Sequence, residues 1–322
     1  MKSHIKIIES GKKVVLHEAE TIKNLVTFIN DDFAKCVELI YHSEGRVIIT
    51  GIGKSANISQ KIVATLNSTG TPAIFMHAAD AIHGDLGIVQ KNDVVICVSR
   101  SGDTPEIKVL IPLLKTMGNK IIAMISNTHS VLAQQADYIL NAFIDSEACP
   151  NNLAPTSSTT AQLVMGDALA VALLEYRDFS STDFAKYHPG GTLGKKLYLR
   201  VNDLYHNNQK PQIAEDASID QVIMEMTTKR LGATAVVNAI GELSGIITDG
   251  DLRRMLISKR PINELLAQDI MGKNPRTIDE NQLAVQAFQV MEQNNITQLI
   301  VVNGTKYVGM IHIHDILKEG IV

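Results

Sequence analysis

Apolar residues at Val15, Ala19, Ile22, Val26, Ile29, Phe33, Val37 and Ile40 recur at steps of three and four, which predicts one long helix with a single apolar stripe. Downstream the period changes. Short β-branched runs at residues 47–50, 73–76, 94–98 and 121–125 alternate with helical stretches. These runs are apolar at successive positions rather than alternate ones, as strands are when helices cover both faces of a parallel sheet. Strand–helix alternation of this kind predicts an α/β, doubly wound parallel-sheet domain over residues 1–196.

The last third of the chain repeats itself. Gly245-Ile246-Ile247-Thr248-Asp249-Gly250-Asp251-Leu252 aligns with Gly309-Met310-Ile311-His312-Ile313-His314-Asp315-Ile316, and Ala235-Val236-Val237-Asn238 aligns with Ile300-Val301-Val302-Asn303. Each copy opens on a polar stretch, at Val201-Asn202-Asp203-Leu204 and at Ala267-Gln268-Asp269-Ile270, then continues with a helix and a strand pair. Two copies of such a long unit are not a solenoid, so they predict a tandem α+β pair over residues 197–262 and 263–322. The pair resembles CBS modules, which share a G-hydrophobic-hydrophobic-T-D-x-D-[LI] stretch. That resemblance implies a nucleotide or sugar-nucleotide regulator held by Thr248, Asp249 and Asp251. The second copy departs from it at His312 and His314.

A chain of 322 residues has room for two domains and needs no staple. Its 30 Lys and Arg against 34 Asp and Glu leave a net charge of −4 with no long basic block, which argues against a nucleic-acid partner. The absence of tryptophan argues against a stacking platform for single strands. No 18-residue apolar run lacks charge, and Met1 to Ser10 has no apolar centre, so neither a membrane span nor secretion is expected. Cys36, Cys97 and Cys149 have neither C-x-x-C nor metal-ligand spacing and are expected as reduced thiols in a cytoplasm.

In an open α/β sheet, ligands collect beyond the carboxyl ends of the strands. The first loop there is Gly51-Ile52-Gly53-Lys54-Ser55. It is not a Walker A loop, because Ile48 stands where a glycine is needed. With Ala56 it loosely fits a dinucleotide pattern, but the next strand ends at His77 rather than at an acid, which leaves a nicotinamide enzyme as a minor alternative. The second loop is Ser99-Arg100-Ser101-Gly102-Asp103-Thr104-Pro105. Thr104 or Asp103 is placed to cap the helix that Pro105 begins, and with the hydroxyls it makes a phosphate cradle. In the third, Pro155-Thr156-Ser157-Ser158-Thr159-Thr160, five successive hydroxyl residues exceed what a cap requires. Two such loops point to a phosphosugar.

The S-x-S-G-x-T loop and the hydroxyl-rich helix start resemble the sugar isomerase (SIS) domain. With Ala81-Ile82-His83-Gly84-Asp85-Leu86-Gly87, Glu147-Ala148-Cys149-Pro150 and His188-Pro189-Gly190-Gly191 added, the whole chain resembles bacterial arabinose-5-phosphate isomerases. That family interconverts D-ribulose 5-phosphate and D-arabinose 5-phosphate for the lipopolysaccharide sugar Kdo. Ala56 and Asn57 stand where many relatives have glycine and histidine, which bears on loop packing. The resemblance implies a cofactor-free, cytoplasmic homotetramer acting on a small sugar phosphate. It implies catalysis by Lys54, Glu106, Glu147 and His188, with substrate contacts at Gly70, Thr71, His83, Ser99, Ser101, Gly102, Thr104, Ser157, Ser158 and Thr159. It also gives His77 a contact to an inhibitory zinc. The rival reading is a non-catalytic phosphosugar sensor, although no basic helix-turn-helix of the kind such regulators carry is visible.

Moving a carbonyl between C1 and C2 through an enediol needs a proton-shuttling base, a group that polarises the carbonyl oxygen and a grip on the phosphate. Glu106 and Glu147 are the carboxylates at hand, either of which burial could lift toward neutrality, and Glu147 is preferred as the base. Glu106 also suits a plain helix-dipole partner. Lys54 at a strand end offers a cation, and His188 before its Pro-Gly-Gly turn offers a general acid for ring opening. His77 and His83, six apart, do not share a helical face as paired metal ligands do.

Overall fold

The computed structural model describes residues 4–321. They form two compact units that divide at Tyr187/His188. The opening stripe is two helices rather than one: α1 (His4–Leu25) and α2 (Asp31–His42), with a 3-10 turn at Val26–Phe28 between them. Asn30 makes the break, because its side-chain oxygen accepts from the backbone N–H groups of Asp32 and Phe33 (3.1 and 3.4 Å) and so starts a new helix. The apolar stripe runs on across the break, with Leu25, Phe33, Val37 and Ile40 in one core, and so reads as a single rod.

Strands β1 (Val47–Gly51), β2 (Ala73–His77), β3 (Val94–Val98), β4 (Lys120–Ile125) and β5 (Tyr138–Asn141) form a parallel sheet in the order β2-β1-β3-β4-β5. The intervening helices are α3 (Lys54–Ser68), α4 (Ala78–Ala81), α5 (Pro105–Met117) and α6 (Val131–Gln135); α7 (Ser157–Tyr176) and α8 (Ser181–Tyr187) follow β5. One face packs Ile49 and Val98 against Ile62 of α3 and Met165 and Leu169 of α7; the other packs Ile48 and Val95 against Ile107, Leu110 and Leu132. Successive strand residues thus enter opposite cores, which is why the runs are continuously apolar. β5, short and ended by Tyr and Asn, lay outside the expected runs. α7 is long and apolar enough to cross a membrane. Here it is a core helix whose Gly166 lets Ile62 approach so closely that a Cβ would lie 2.4 Å from Ile62 Cγ1.

At the amino edge of the sheet Asp93, 1% exposed, ties β1 to β3. Its carboxylate accepts from the backbone N–H groups of Arg46 and Gln90 (both 2.8 Å) and pairs with the Arg46 guanidinium at 2.8 Å. Burial pushes this carboxyl up, but the Arg46 and Gln90 hydrogen bonds and the Arg46 charge outweigh it, leaving it below its ordinary 3.8. A depressed folded-state value contributes stability that is present above 3.8 and lost as the pH falls through the folded value. Asp93→Asn is therefore expected to cost about 3 kcal/mol at neutral pH and to flatten the acid limb of stability. Urea melts of both proteins across the acid range check this, and equal acid sensitivity would remove Asp93 from the account.

The second unit begins before residue 196. α9 (Thr192–Tyr198) belongs to it: Lys195 Nζ pairs with Glu319 at 2.7 Å, and the Leu199 carbonyl accepts from the Ala284 N–H at 2.8 Å. One sheet holds β6 (Gln212–Ala214), β7 (Ala233–Val237), β8 (Leu243–Thr248) and β9 (Gly272–Lys273), and the other β10 (Thr277–Asp279), β11 (Gln298–Asn303) and β12 (Lys306–His312). The helices are α10 (Asn202–Tyr205), α11 (Ile219–Lys229), α12 (Asp249–Ile257), α13 (Ala267–Ile270), α14 (Ala284–Asn294) and α15 (Ile313–Lys318). The two copies exchange their opening segments. Val201, Leu204 and Tyr205 pack into the second copy's core with Ala287, Leu299 and Ile311, and Tyr205 Oη donates to Glu280 at 2.7 Å. Ala267, Ile270 and Met271 pack into the first copy's core with Val222, Val236 and Ile247, and β9 pairs with β8. Neither 197–262 nor 263–322 therefore encloses its own core, and Ala235, Ile300 and Tyr307 join the two sheets.

Candidate active site

β1 and β3 lie side by side, yet the helices that follow them leave to opposite faces, α3 to one core and α5 to the other. The winding reverses between them, and beyond the carboxyl ends of strands at such a switch point is where ligands collect in an open α/β sheet. On the β1 side Gly53, at φ +57°, turns the chain into α3, whose first residue is the exposed Lys54. Ser55 Oγ donates to Gln162 Oε1 of α7 at 3.2 Å, which holds this loop beside the start of α7.

On the β3 side, the buried Ser99 hydroxyl accepts from the Gly102 N–H (3.1 Å) and hydrogen-bonds to Thr104 Oγ1 (2.9 Å), while Ser101 Oγ accepts from the Asp103 N–H (3.2 Å). This has a consequence for α5. Thr104 stands at the N-cap position, but its hydroxyl is turned to Ser99 and caps nothing. The Asp103 carboxylate instead meets Lys108 (3.0 Å) and the Val131 N–H (3.4 Å). The cap expected from Thr104 or Asp103 is therefore not made. Pro105 has no N–H, so the N–H groups of Glu106 and Ile107 stand uncapped at the positive end of the helix. Glu106 itself is half-buried in that turn.

The other helix start is already filled. Glu147, 4% exposed, accepts at Oε2 from the N–H groups of Thr156 (2.8 Å) and Ser158 (3.1 Å) and from the Thr156 hydroxyl (3.2 Å). Ser157 Oγ accepts from the Ala148 N–H (3.2 Å), Thr159 Oγ1 donates to the Thr156 carbonyl (2.8 Å), and Thr160 Oγ1 donates to Glu18 of α1 (3.0 Å). The five hydroxyls knit loop to helix. They do not form the second phosphate cradle expected from the sequence, because the chain's own carboxylate occupies the anion position at α7.

Glu147 Oε1 is different. The Arg100 guanidinium lies 3.0 Å away, an ion pair by distance, yet no N–H is aligned on Oε1, which is buried without a hydrogen bond. Burial pushes the Glu147 carboxyl up, but hydrogen bonds from Ser158 and Thr156 and the Arg100 charge more than offset this, so it lies below its ordinary 4.5. The expected rise toward neutrality is not found, and Glu147 is a carboxylate at neutral pH.

His77 ends β2 in register with Gly51, and the exposed His83 follows α4, so both lie at the same carboxyl edge. His77 Nδ1 has no hydrogen bond and stands 3.7 Å from Asp80. Among the described residues no group of three or more His, Cys, Asp and Glu gathers, so His77 and Asp80 fall short of a zinc donor set within one chain. Gly70 and Thr71 lie between α3 and β2 at the opposite, amino edge, where the Gly70 carbonyl and Thr71 Oγ1 accept from Arg177 Nη1 (2.7 and 2.8 Å). A helix that starts at the carboxyl edge must return to the amino edge before the next parallel strand, so about 15 Å of strand separates them from Lys54. His188 is the first residue of the second unit, and its carbonyl accepts from the Gly191 N–H at 3.0 Å. A cavity of about 480 Å³ lies at the amino edge as well, but its Lys35, Lys91 and Lys120 are offset by Glu38, Glu44 and Asp93. Arg100 and Gln162 were not singled out from the sequence; the one signal was Arg100's place between two loop serines.

In the tandem pair, Thr248 caps α12. Its Oγ1 accepts from the Asp251 N–H (3.4 Å), while Asp251 Oδ2 accepts from the Thr248 N–H (2.8 Å) and Oγ1 (2.6 Å) and Asp251 Oδ1 pairs with Arg254. These two residues are committed to a helix start, and Asp249 is exposed. In the second copy His312 does Thr248's work: its Nδ1 accepts from the His314 N–H (3.1 Å), and Asp315 accepts from the His312 N–H (2.8 Å).

A five-stranded parallel sheet whose winding reverses between β1 and β3, followed by an exchanged tandem pair, defines a sugar-isomerase-domain protein with CBS modules: the SIS domain matches residues 39–172 and the CBS domain residues 201–258 and 267–321. The chain is 44% identical to the arabinose 5-phosphate isomerase KdsD of Pseudomonas aeruginosa over 100% of this chain and 99% of the relative. It is 43% identical to KdsD of Escherichia coli K12, covering 98% and 96%. It belongs to the arabinose 5-phosphate isomerase family. A solved protein of E. coli CFT073, in complex with arabinose 5-phosphate, is 40% identical with a TM-score of 0.56 and covers 58% of this chain and 100% of that one.

Proposed function

We propose that the chain interconverts D-ribulose 5-phosphate and D-arabinose 5-phosphate through an enediol, supplying synthesis of Kdo. One observation carries the reading: an uncapped helix start ringed by Ser99, Ser101 and Thr104 shares its loop with the Arg100 contact to a buried carboxylate that has one unbonded oxygen. The named relatives and the complex with arabinose 5-phosphate support it.

The phosphate docks on the N–H groups of Glu106 and Ile107, at the positive end of α5. Lys54 is then left for the oxyanion that develops at the sugar carbonyl. Glu147 takes the C2 hydrogen of the aldose as a proton and returns it to C1, while the Lys54 ammonium gives a proton to O1 and takes one from O2; the reverse reaction starts at C1. A carboxylate held below its ordinary value is in the accepting form before substrate arrives, but it is a weaker base than one poised near neutrality. Stabilisation of the enediolate by Lys54 therefore carries more of the barrier. Glu106 and His83 contact sugar hydroxyls. Ser157, Ser158 and Thr159 act indirectly, by holding Glu147 at the start of α7. Because the hydrogen moves between adjacent carbons of one molecule, the chemistry as drawn calls on no redox cofactor.

The same reading includes a cytoplasmic homotetramer, for which the exposed Ile5, Ile8, Val15 and Leu16 of α1 offer association surface. It also includes a nucleotide or sugar-nucleotide regulator at the CBS pair, with Asp249 as its open contact. Given D-arabinose 5-phosphate, the purified chain is expected to form the ketose, with solvent deuterium entering the carbon that receives the hydrogen; proton NMR follows both. Binding without turnover would make the protein a sensor, and no binding would overturn the reading.

A further inference from the structure

We propose that Arg100 is a positioning residue that changes partners: it pairs with Glu147 before substrate binds and with the substrate phosphate afterwards, releasing the carboxylate for proton abstraction. This rests on the isomerase reading. The backbone of Arg100 is pinned, because its carbonyl accepts from the Ser126 N–H (3.1 Å) and the neighbouring Ser99 N–H donates to the Met124 carbonyl (3.0 Å). Only its side chain is left to swing. That side chain is 38% exposed, whereas the Glu147 side chain it covers is 0% exposed, so the guanidinium shields the carboxylate. The contact is close but unaligned, so the planar fork of donors is used electrostatically and makes no hydrogen bond to Glu147. A phosphate in the same loop matches that fork with two parallel bonds. Oε2 is held by Thr156 and Ser158, so Glu147 stays in place when Arg100 leaves.

The charged and titratable groups around Glu147 come from three elements. The loop after β3 brings Arg100. Helix α1 brings His17, whose Nε2 bonds to the Ser146 carbonyl (2.9 Å), and Glu18, which accepts from Thr160. The loop of Glu147 itself brings Asp145 and Cys149. Arg100 is the one cation in ion-pair contact with Glu147 among the described residues. Its departure therefore strengthens Glu147 as a base when the sugar carbon is presented.

The sign follows from the charge. Arg100 keeps the proton off Glu147, so Arg100→Gln is expected to move the acid limb of kcat/KM to higher pH by about one unit. The acid limb of kcat is expected to stay in place, because in the loaded enzyme Arg100 has already left. KM for the sugar phosphate should rise about tenfold, more than kcat falls. Arg100→Lys keeps the charge but lacks the fork, so it is expected to restore the limb of kcat/KM while KM stays raised.

A second measurement is independent of turnover. In full-length protein carrying carbon-13 glutamate carboxyls, the Glu147 signal is assigned by its loss in Glu147→Gln and titrated with and without inorganic phosphate. Phosphate should raise the Glu147 midpoint in the wild type at least twice as far as in Arg100→Gln. Equal shifts in the two proteins, or an unmoved kcat/KM limb in Arg100→Gln, would overturn the exchange. A phosphate response as expected, without turnover of D-arabinose 5-phosphate, would overturn only the isomerase reading.

Discussion

Glu147→Gln is expected to lower kcat about 10³-fold in a protein that remains folded. The glutamine carbonyl still accepts from the Thr156 and Ser158 N–H groups, so the start of α7 survives and loses only the charge of its internal anion, about 1 kcal/mol. What disappears is the proton acceptor at Oε1, where an amide N–H₂ would now face the Arg100 guanidinium, donor against donor. The phosphate grip lies on α5 rather than α7, so KM should move far less than kcat. In the wild type the carboxyl lies below 4.5, so the acid limb of kcat/KM should appear only below that value, with no loss across neutral pH. Initial rates and thermal melts of wild type, Glu147→Gln and Glu106→Gln decide the assignment. A kcat for Glu147→Gln within tenfold of wild type, beside a collapsed Glu106→Gln, would transfer the role of base to Glu106.

Gly102→Ala should damage the phosphate site from a position that carries no chemistry. The residue sits at φ +69°, a conformation that costs an L-residue about 1 kcal/mol. The new Cβ would also lie 2.0 Å from Ser130 Oγ and 2.6 Å from Ser130 Cβ. Ser130 is buried, and its hydroxyl caps α6 by accepting from the Ala133 N–H, so it cannot turn away without losing that bond. The loop must shift instead, taking the Ser99–Thr104 pair and Arg100 with it. About 2 kcal/mol of stability and about 10² in kcat/KM are expected to be lost, chiefly through KM. Two variants separate the causes. Gly53→Ala meets nothing within 4 Å and carries only the backbone cost, whereas adding Ser130→Gly to Gly102→Ala removes the overlap and should recover most of the activity. Unchanged kinetics in Gly102→Ala would detach this loop from substrate binding.

Much of this architecture is legible in local pattern. The runs 47–50, 94–98 and 121–125 announce themselves because every position in them is buried, and β5 escapes because Tyr138 and Asn141 blur its ends. The break at Asn30 is written in its own neighbourhood, an Asn followed by two Asp, but an apolar stripe that stays in phase conceals it. In the site, Lys54, Ser99, Gly102, Thr104, Glu147 and Ser158 all reach the carboxyl edge of one sheet, as their places after strands require. Their division of labour is not legible. Which of two similar helix starts stays open depends on whether a carboxylate arrives from elsewhere: Glu147 reaches α7, while Asp103 is drawn off by Lys108 and Val131. Gly70 and Thr71 look like loop residues near the site, yet the return of α3 carries them to the far edge.

By itself the sequence determined what is periodic or local: the strand–helix alternation, the internal repeat, the hydroxyl loops and the likeness to the family. Tertiary structure alone decided that the two repeats exchange their opening segments, that α5 rather than α7 is free to take an anion, and that one oxygen of Glu147 is buried beside Arg100 without a hydrogen bond. The reason is physical. Those outcomes depend on groups far apart in the chain meeting where water is excluded, and there a single partner gained or lost changes the energy of a charge more than any local preference does.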